Sequence, residues 1–442
     1  MSRNRPVLLA LLAAALVLAP VTHVAAVSTT PAPAASPAAP SAGSAAGPTA
    51  DGMTALVSPV EGPSATTDGV LASARLQANT SNYLGIREEA VERSDHERAS
   101  LNIGGAVQQD VTELRGEYAS LTFEQRLGNT TGRDARMDVL RSEVDRLERR
   151  VQQLELRRNR VIDDYNSGDL DTEAFYRELA EIDASARAIE SQFNRINQAT
   201  GLALPSDLKT KMNNLEGDLL SLHGPIRQQI AQAMTGESDA VSVYSVTSPT
   251  GIVLSSIEDS LYHREAYIGD NRDKVGPDRF VTDSTPLGVR AAVSRMAELY
   301  PWASSNARQG PNVETIGNTS IYYVRTSHPH GSLDTYLDGR TESVFREFQT
   351  KPLAMLPVQT TTNSSDGLDL RVNRTHATGP MHLTVTDNET DEPIDATVTV
   401  NGDDVGSTGD DGRLWTLTPH QAVRITVTTD DGRTVTERFF AN

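Results

Sequence analysis

Apolar residues recur every three or four positions through the middle of the first half of the chain. Met137, Leu140, Val144, Leu147, Val151, Leu154, Val161 and Tyr165 form one series, with Arg158 as its one polar lapse. Phe175, Leu179, Ile182, Ala186, Ile189, Phe193 and Ile196 form a second. Both follow the alternating spacing of heptad a and d positions, which predicts two helices paired along a seam. If Asp134 to Tyr165 is continuous, the first helix is about 48 Å long at roughly 1.5 Å per residue. Between the series runs VIDDYNSGDLDTEAF, residues 161–175, in which Asp163, Gly168 and Leu170 take the first, sixth and eighth places of a calcium-binding loop. Its third place is Tyr165 and its twelfth Ala174, where calcium requires oxygen and a bidentate glutamate. The heptad series is also still in phase at Tyr165. The segment therefore reads as a hairpin turn, with Gly168 ending one helix and Asp171 or Thr172 capping the next. Charge agrees with the pairing: 136–160 carries net +3 and 171–196 net −3. A flanking helix around Val107 to Leu127, and a later one with Leu208, Met212, Leu215, Leu219 and Leu222, are expected to complete a helical coiled-coil domain over 67–236.

The pattern then changes. AVSVYSV, GIVLSSI, REAYIG and SIYYVRT read as strands and TPLGVRAAVSRMAELYPWAS as an amphipathic helix, which together predict a small α+β domain over 238–358. A Thr/Ser-rich break, 359–367, reads as a linker. From Leu368 onward, strict alternation (Leu368, Leu370, Val372; Leu383, Val385; Ala396, Val398, Val400; Val423, Ile425, Val427) predicts a β-sandwich of about seven short strands over 368–442. Asn401-Gly402, Asp411-Gly412 and Asp431-Gly432 are its hairpin signals. The expected fold class is thus multidomain: an α-helical coiled-coil hairpin or bundle, a small α+β domain, and a C-terminal Ig-like or transthyretin-like β-sandwich.

One motif in the last segment carries a family likeness. Asp387, Thr390, Pro393, Ile394, Ala396, Val398 and Val400, followed by Thr408 and Gly412, match a D-x-x-T-x-x-P-I-x-x-A-x-V-x-V core with a trailing T-x-x-x-G. In this the segment resembles the carboxypeptidase regulatory-like (transthyretin-like) module, and the resemblance implies an accessory, non-catalytic extracellular domain. As a whole the chain resembles an uncharacterised group of exported haloarchaeal proteins, a likeness that brings no known activity.

Composition sets the habitat. Among 442 residues, 59 Asp plus Glu face 40 Lys plus Arg, a net charge of −19. That balance argues against nucleic acid and anionic membrane surfaces as partners. Lys209, Lys211, Lys274 and Lys351 are the four lysines; the other basic residues are arginines. Acidity together with scarce lysine points to a halophilic, archaeal protein whose surface repulsion is screened by molar salt. At the N-terminus, Arg3 and Arg5 precede an apolar run from Val7 to Ala19, and Val24 and Ala26 supply a small-residue cleavage pattern. This predicts a secretory signal peptide over 1–26, with no integral membrane span after its removal. A Pro/Ala/Ser-rich stretch, 27–66, reads as a disordered spacer. There is no cysteine, and hence no disulfide or thiolate chemistry.

Candidate chemistry is sparse. The sequence holds no H-E-x-x-H, G-x-S-x-G, P-loop or G-x-G-x-x-G. Ser206 and Lys209 match S-x-x-K, but Ser206 reads as a helix N-cap. His328 and His330, and more weakly His263 with Glu265, could contribute imidazole to a metal, yet two ligands do not make a site and a surface turn explains the first pair. Asp403–Asp404 and Asp410–Asp411 read as solvated loop acids rather than calcium ligands. No catalytic, cofactor-binding or metal residues are expected, and no cofactor. Asn79, Asn129, Asn318, Asn363, Asn373 and Asn388 open N-x-[ST] sequons, possible N-glycosylation sites in an exported protein. The function expected is that of an exported, non-enzymatic cell-envelope protein with a structural, spacer or adhesive role. Its partners would be envelope or other extracellular proteins, or further copies of itself through the coiled coil. The alternatives are a ligand-binding or sensory ectodomain with its site in the α+β domain, and a secreted hydrolase.

Overall fold

A computed structural model describes residues 83–200, 204–283 and 287–441; the signal peptide and spacer expected over 1–66, and Asn79, lie outside the described residues. The first strand, β1 (Arg93–Ala99), precedes five helices: α1 (Ile103–Asn129), α2 (Arg133–Ser167), α3 (Thr172–Thr200), α4 (Ser206–Leu219) and α5 (Pro225–Thr235). Strands β2 (Val241–Ser248), β3 (Gly251–Glu258) and β4 (Leu261–Ile268) follow, then α6 (Val289–Leu299) and α7 (Pro301–Ser305). The meander β5 (Asn312–Thr315), β6 (Ile321–His328), β7 (Gly331–Asp338) and β8 (Ser343–Pro352) comes next.

These strands form one eight-stranded antiparallel sheet in the order β1-β2-β3-β4-β8-β7-β6-β5. Its two four-strand halves meet where β4 pairs with β8, Leu261 opposite Pro352 through Tyr267 opposite Arg346. Helices cover one face. Val243, Ile252 and Leu254 of the sheet share a continuous core with the seam residues of α2 and α3 and with α4 and α5. The expected division at residue 238 therefore runs through shared packing: β1, which lies within the helical segment, pairs along its whole length with β2. Against the opposite face lie α6 and α7, which pack on Tyr322, Val324, Leu333 and Leu337.

The hairpin turn forms as its residues dictate. Helix α2 runs through Asp163 and Asp164 to Ser167 and stops at Gly168, whose φ of 85° and ψ of 7° lie in the left-handed region that glycine enters without strain. Asp171 caps α3 by accepting from Ala174 N–H at 2.8 Å. Arg93 of β1 then clamps the turn, donating to the Tyr165 and Leu170 carbonyls at 2.9 and 3.0 Å while lying 4.0 Å over the Tyr165 ring. The helix expected near 107–127 forms as α1. It buries Gly105, Gly116, Ser120, Phe123 and Leu127. Gly116 approaches α3 so closely that a β-carbon there would lie 3.0 Å from that of Ala188. Small residues let the backbones touch, and the larger side chains turn outward.

The C-terminal strands are β9 (Gln359–Ser365), β10 (Leu368–Arg374), β11 (Pro380–Asp387), β12 (Thr397–Val400), β13 (Asp403–Ser407), β14 (Arg413–Leu417), β15 (Ala422–Thr428) and β16 (Thr434–Phe440). They build an Ig-like sandwich of two four-stranded sheets, β14-β11-β10-β9 and β13-β12-β15-β16. Residues 359–365, read from sequence as linker, are an edge strand paired with β10 from Gln359–Arg374 to Ser365–Leu368. An edge strand with little buried surface needs no apolar alternation, so its Thr/Ser/Asn content masked it. The sandwich core is the alternating set read from sequence, from Leu368 to Val427, joined by Met381 and Val435. It docks on the larger sheet through Leu417 and Trp415, which share a cluster with Tyr244, Val246, Val253 and Tyr262.

Candidate functional site

Two charged centres lie back to back in the middle of the eight-stranded sheet. The dipeptide Arg-Glu occurs in β4 (Arg264-Glu265) and again in β8 (Arg346-Glu347), and strand alternation sends each partner to a different face. On the helical face, Glu265 pairs with the fully buried Arg227 at 2.9 Å and accepts from Ile226 N–H at 3.2 Å, capping the first turn of α5. Gly224 makes room for this carboxylate, since a β-carbon there would fall about 2.1 Å from it. Asp183 accepts from Gly224 N–H at 2.7 Å and is held by Arg187. Arg346 donates to the His223 carbonyl at 2.6 Å and lies 4.2 Å over the Phe348 ring. Burial and the surrounding arginines push His223 down to about 2, and burial lowers Arg346 to about 10.

On the opposite face, Glu347 pairs with Arg264 at 2.9 Å and accepts from Tyr300 Oη and Leu84 N–H, both at 2.6 Å. Arg264 continues to the Leu84 carbonyl at 2.5 Å, beneath the Tyr83 ring. Lys351, four positions along β8, is buried; desolvation, only partly offset by Glu347, takes its amine down to about 7. Tyr262 is pushed up to about 12, and His376 from the sandwich down to about 3, in each case chiefly by burial. Arg264, Glu347, Lys351 and Tyr262 are each 2% exposed or less, and one carboxylate stands against two basic side chains, which makes this a structural core with a pH dependence.

An open cleft of about 450 Å³ lies instead where β1 meets the sandwich. One wall carries Glu92, Arg93, Asp95 and His96, and the other Asn401, Asp403, His420 and Gln421, above a floor of Tyr244 and Leu417. Several of these groups are already committed. Arg93 serves the hairpin turn, Asp95 accepts from His96 N–H at 2.9 Å and from the Thr172 hydroxyl, and Asn401 donates to the Ala422 carbonyl and accepts from Arg424 N–H of β15. Tyr244 Oη accepts from His420 N–H at 2.8 Å, tying the sandwich to β2. What is left over is distinctive. His96 Nε2 and His420 Nδ1 are both buried without a hydrogen-bond partner among the described residues, and burial lowers the pKa of both rings against the opposing pull of Asp403 and Asp95 on His96 and of Glu88 on His420. Both imidazoles are therefore neutral near pH 7, each with one free nitrogen.

The residues singled out from sequence scatter. His328 and His330 belong to the β6–β7 hairpin, but His328 is 1% exposed, and Trp302 stacks on His330 at 4.6 Å and meets His328 edge-on at 5.3 Å. The surface-turn reading is corrected: burial against an indole explains them, with His328 lowered to about 4. Ser206 is the first residue of α4 rather than its cap, a place that Pro205 takes, and both Ser206 and Lys209 are exposed. His263 contacts Thr350 Oγ1 at 3.3 Å, and Glu265, two positions along on the same face, is committed to Arg227. Asp404 and Asp411 close local turns onto Gly406 and Arg413 N–H. Asn129, Asn318 and Asn388 are exposed, whereas Asn363 donates to the Thr436 carbonyl and Asn373 accepts from Thr360. Sequence reading missed Arg264, Arg346, Glu347 and Lys351. Their one signal was a charge placed between strand-forming residues.

The comparisons with known proteins divide the chain along similar lines. Residues 359–436 match an archaeal fibronectin-III type-like domain, in agreement with the sandwich, including β9. Residues 243–357 match a family of unknown function (DUF7094) that corresponds to the sheet from β2 to β8. No curated protein matches the chain. Residues 1–239, more than half of the 442, match a domain of unknown function (DUF7096), and the chain belongs to that family.

Proposed function

We propose that this is an exported, non-enzymatic protein of the cell envelope whose cleft between β1 and the sandwich recognises a small polar ligand. The observation that carries the reading is one open cleft lined by the imidazole side chains of His96 and His420 together with the carboxylates of Glu92 and Asp403. Neutral imidazoles beside carboxylates favour a small molecule bearing hydroxyl or ammonium groups. The site falls at a domain junction, where docking of the accessory module shapes it. A structural or adhesive role accompanies this, with the heptad seam of α2 and α3 serving as a stiff coiled-coil arm. The likeness of the sandwich to carboxypeptidase regulatory-like modules, and of the chain to exported haloarchaeal proteins, supports an extracellular setting. So does the acidic, lysine-poor composition, which requires molar salt for screening. Among the described residues no helix is long and apolar enough to cross a membrane.

The test is a thermal-shift screen of polyols and small organic cations in multimolar KCl, run on the native chain and on a His96→Leu/His420→Leu variant. A compound that stabilises the native chain and not the variant supports the cleft. Equal shifts in both, or none with any compound, overturn it. Fractionation of a culture into medium, envelope and cytosol tests export.

A further inference from the structure

Helix α1 presents two opposite faces, and among the described residues only one of them is covered. Around the helix at 100° per residue, Gly105, Gly116, Ser120, Phe123 and Leu127 fall on one side and are buried against the body. Ile103, Val107, Val111, Leu114, Tyr118 and Leu121 fall on the diametrically opposite side. There Ile103 is 77% exposed, Leu114 64% and Tyr118 74%. Large apolar side chains so exposed are ordinary singly, but not as a continuous stripe. From Val107 to Leu121 the spacing alternates four and three, a heptad repeat with Val107, Leu114 and Leu121 at d and Val111 and Tyr118 at a.

We propose that this stripe is the seam of a parallel, in-register dimer of the chain, with α1 paired against α1 of a second copy. Three observations select that occupant. A repeat of 3.5 residues is the period that keeps a stripe facing an identical helix, and Val111 at a with Leu114 and Leu121 at d is the combination that favours two strands, Val107 and Tyr118 filling the remaining layers. The flanking charges are also self-complementary in one orientation alone. Asp110, Glu117 and Glu124 occupy successive g positions, and Arg115 the e position between them. In a parallel pair, Asp110 of each copy faces Arg115 of the other, giving two symmetric ion pairs; an antiparallel pair would set the acidic rows against each other. Among the described residues neither Asp110 nor Arg115 has an ion-pair partner within its own chain. The area is also adequate: six side chains exposing on the order of 100 Å² each approach the roughly 800 Å² per partner of a stable interface. This proposal stands independently of the cleft.

Sedimentation equilibrium of the full chain in multimolar KCl should show a dimer. Leu114→Glu with Tyr118→Glu should weaken association at least about a hundredfold, because two charges would enter the seam. The monomer fold should be unaffected, since both positions face solvent there, and circular dichroism checks this. The chain has no cysteine, so Val107→Cys and Leu121→Cys, made singly, report the orientation without background. Each variant should cross-link to itself on oxidation. A native chain that stays monomeric, or an oligomer indifferent to the double glutamate, overturns the proposal. Cross-linking only in a mixture of the two cysteine variants would mean an antiparallel pair, and overturns it equally.

Discussion

The two β-structures of this molecule are built on opposite principles. The core of the sandwich is apolar, valine, leucine, isoleucine, alanine and methionine on alternate positions. The eight-stranded sheet is covered on both faces and carries Arg264, Arg346, Glu347 and Lys351 through its middle, each 2% exposed or less. A core of the first kind is held by apolar area and tolerates change in proportion to the volume lost. A core of the second kind balances large desolvation costs against pairing, so removing one partner costs far more than the pair is worth. The difference shows which region carries the pH dependence of the protein and which one can stand alone.

The strongest way to break this contrast is to separate the regions. The fragment 357–442, which now includes β9, should fold alone, because its core lies within it. The remainder, 66–356, should aggregate or lose its sheet, since removing the sandwich uncovers Tyr244, Val246, Val253 and Tyr262 and takes away the Thr378 carbonyl that accepts from Tyr262 Oη at 3.1 Å. Circular dichroism and light scattering of both pieces in molar salt check this; a well-behaved longer fragment would show that the two regions are only tethered.

Glu347→Leu comes next, at a cost of about 3–5 kcal/mol in denaturant unfolding, because Arg264 and Lys351 lose their buried counter-charge. The double variant Arg264→Met/Glu347→Leu should be less damaged than Glu347→Leu alone. In the sandwich the counterpart is Val398→Ala, at about 2 kcal/mol with no such rescue. If the double variant were the worse of the two, the charge-balance account would fail.

The pH dependence follows from the same residues. Lys351 titrates near 7 when folded and 10.5 when unfolded, so between those values the unfolded chain binds the extra proton and stability rises with pH. His328 at about 4 and His376 at about 3 act on the acid side, where stability is lost as pH falls from 6.5 through those values. Melting temperatures from pH 7 to about 10 should climb in the native chain relative to Lys351→Met, whose profile lacks this increment. Parallel profiles would remove the lysine from the account. The smallest expected effect is that of Gly168→Ala, which forces a left-handed alanine at the hairpin turn and costs about 1 kcal/mol, while added EDTA should change nothing.

The sequence was decisive where an element is apolar on its covered side and polar on the other. The seams of α2 and α3 were legible because polar residues fill the outer face of each helix. The turn at Gly168 was legible because its calcium reading failed on ligand chemistry at Tyr165 and Ala174. The sandwich was legible because its strands alternate. Elements whose surroundings come from distant parts of the chain were decided only in three dimensions. Strands β2 to β4 lost their alternation because helices cover one face and the sandwich and the 83–91 segment the other, so period-2 patterning had nothing to report. β1 reads as a charged segment, RSDHERA, and is a strand because β2 offers it a full ladder and Arg93 a helical turn to clamp. His96 and His420 are separated by most of the chain, and no spacing rule could bring them to one cleft. Helix α1 is the most instructive case: it forms where the sequence placed a flanking helix, but which face turns inward follows from close packing against α3 at Gly116.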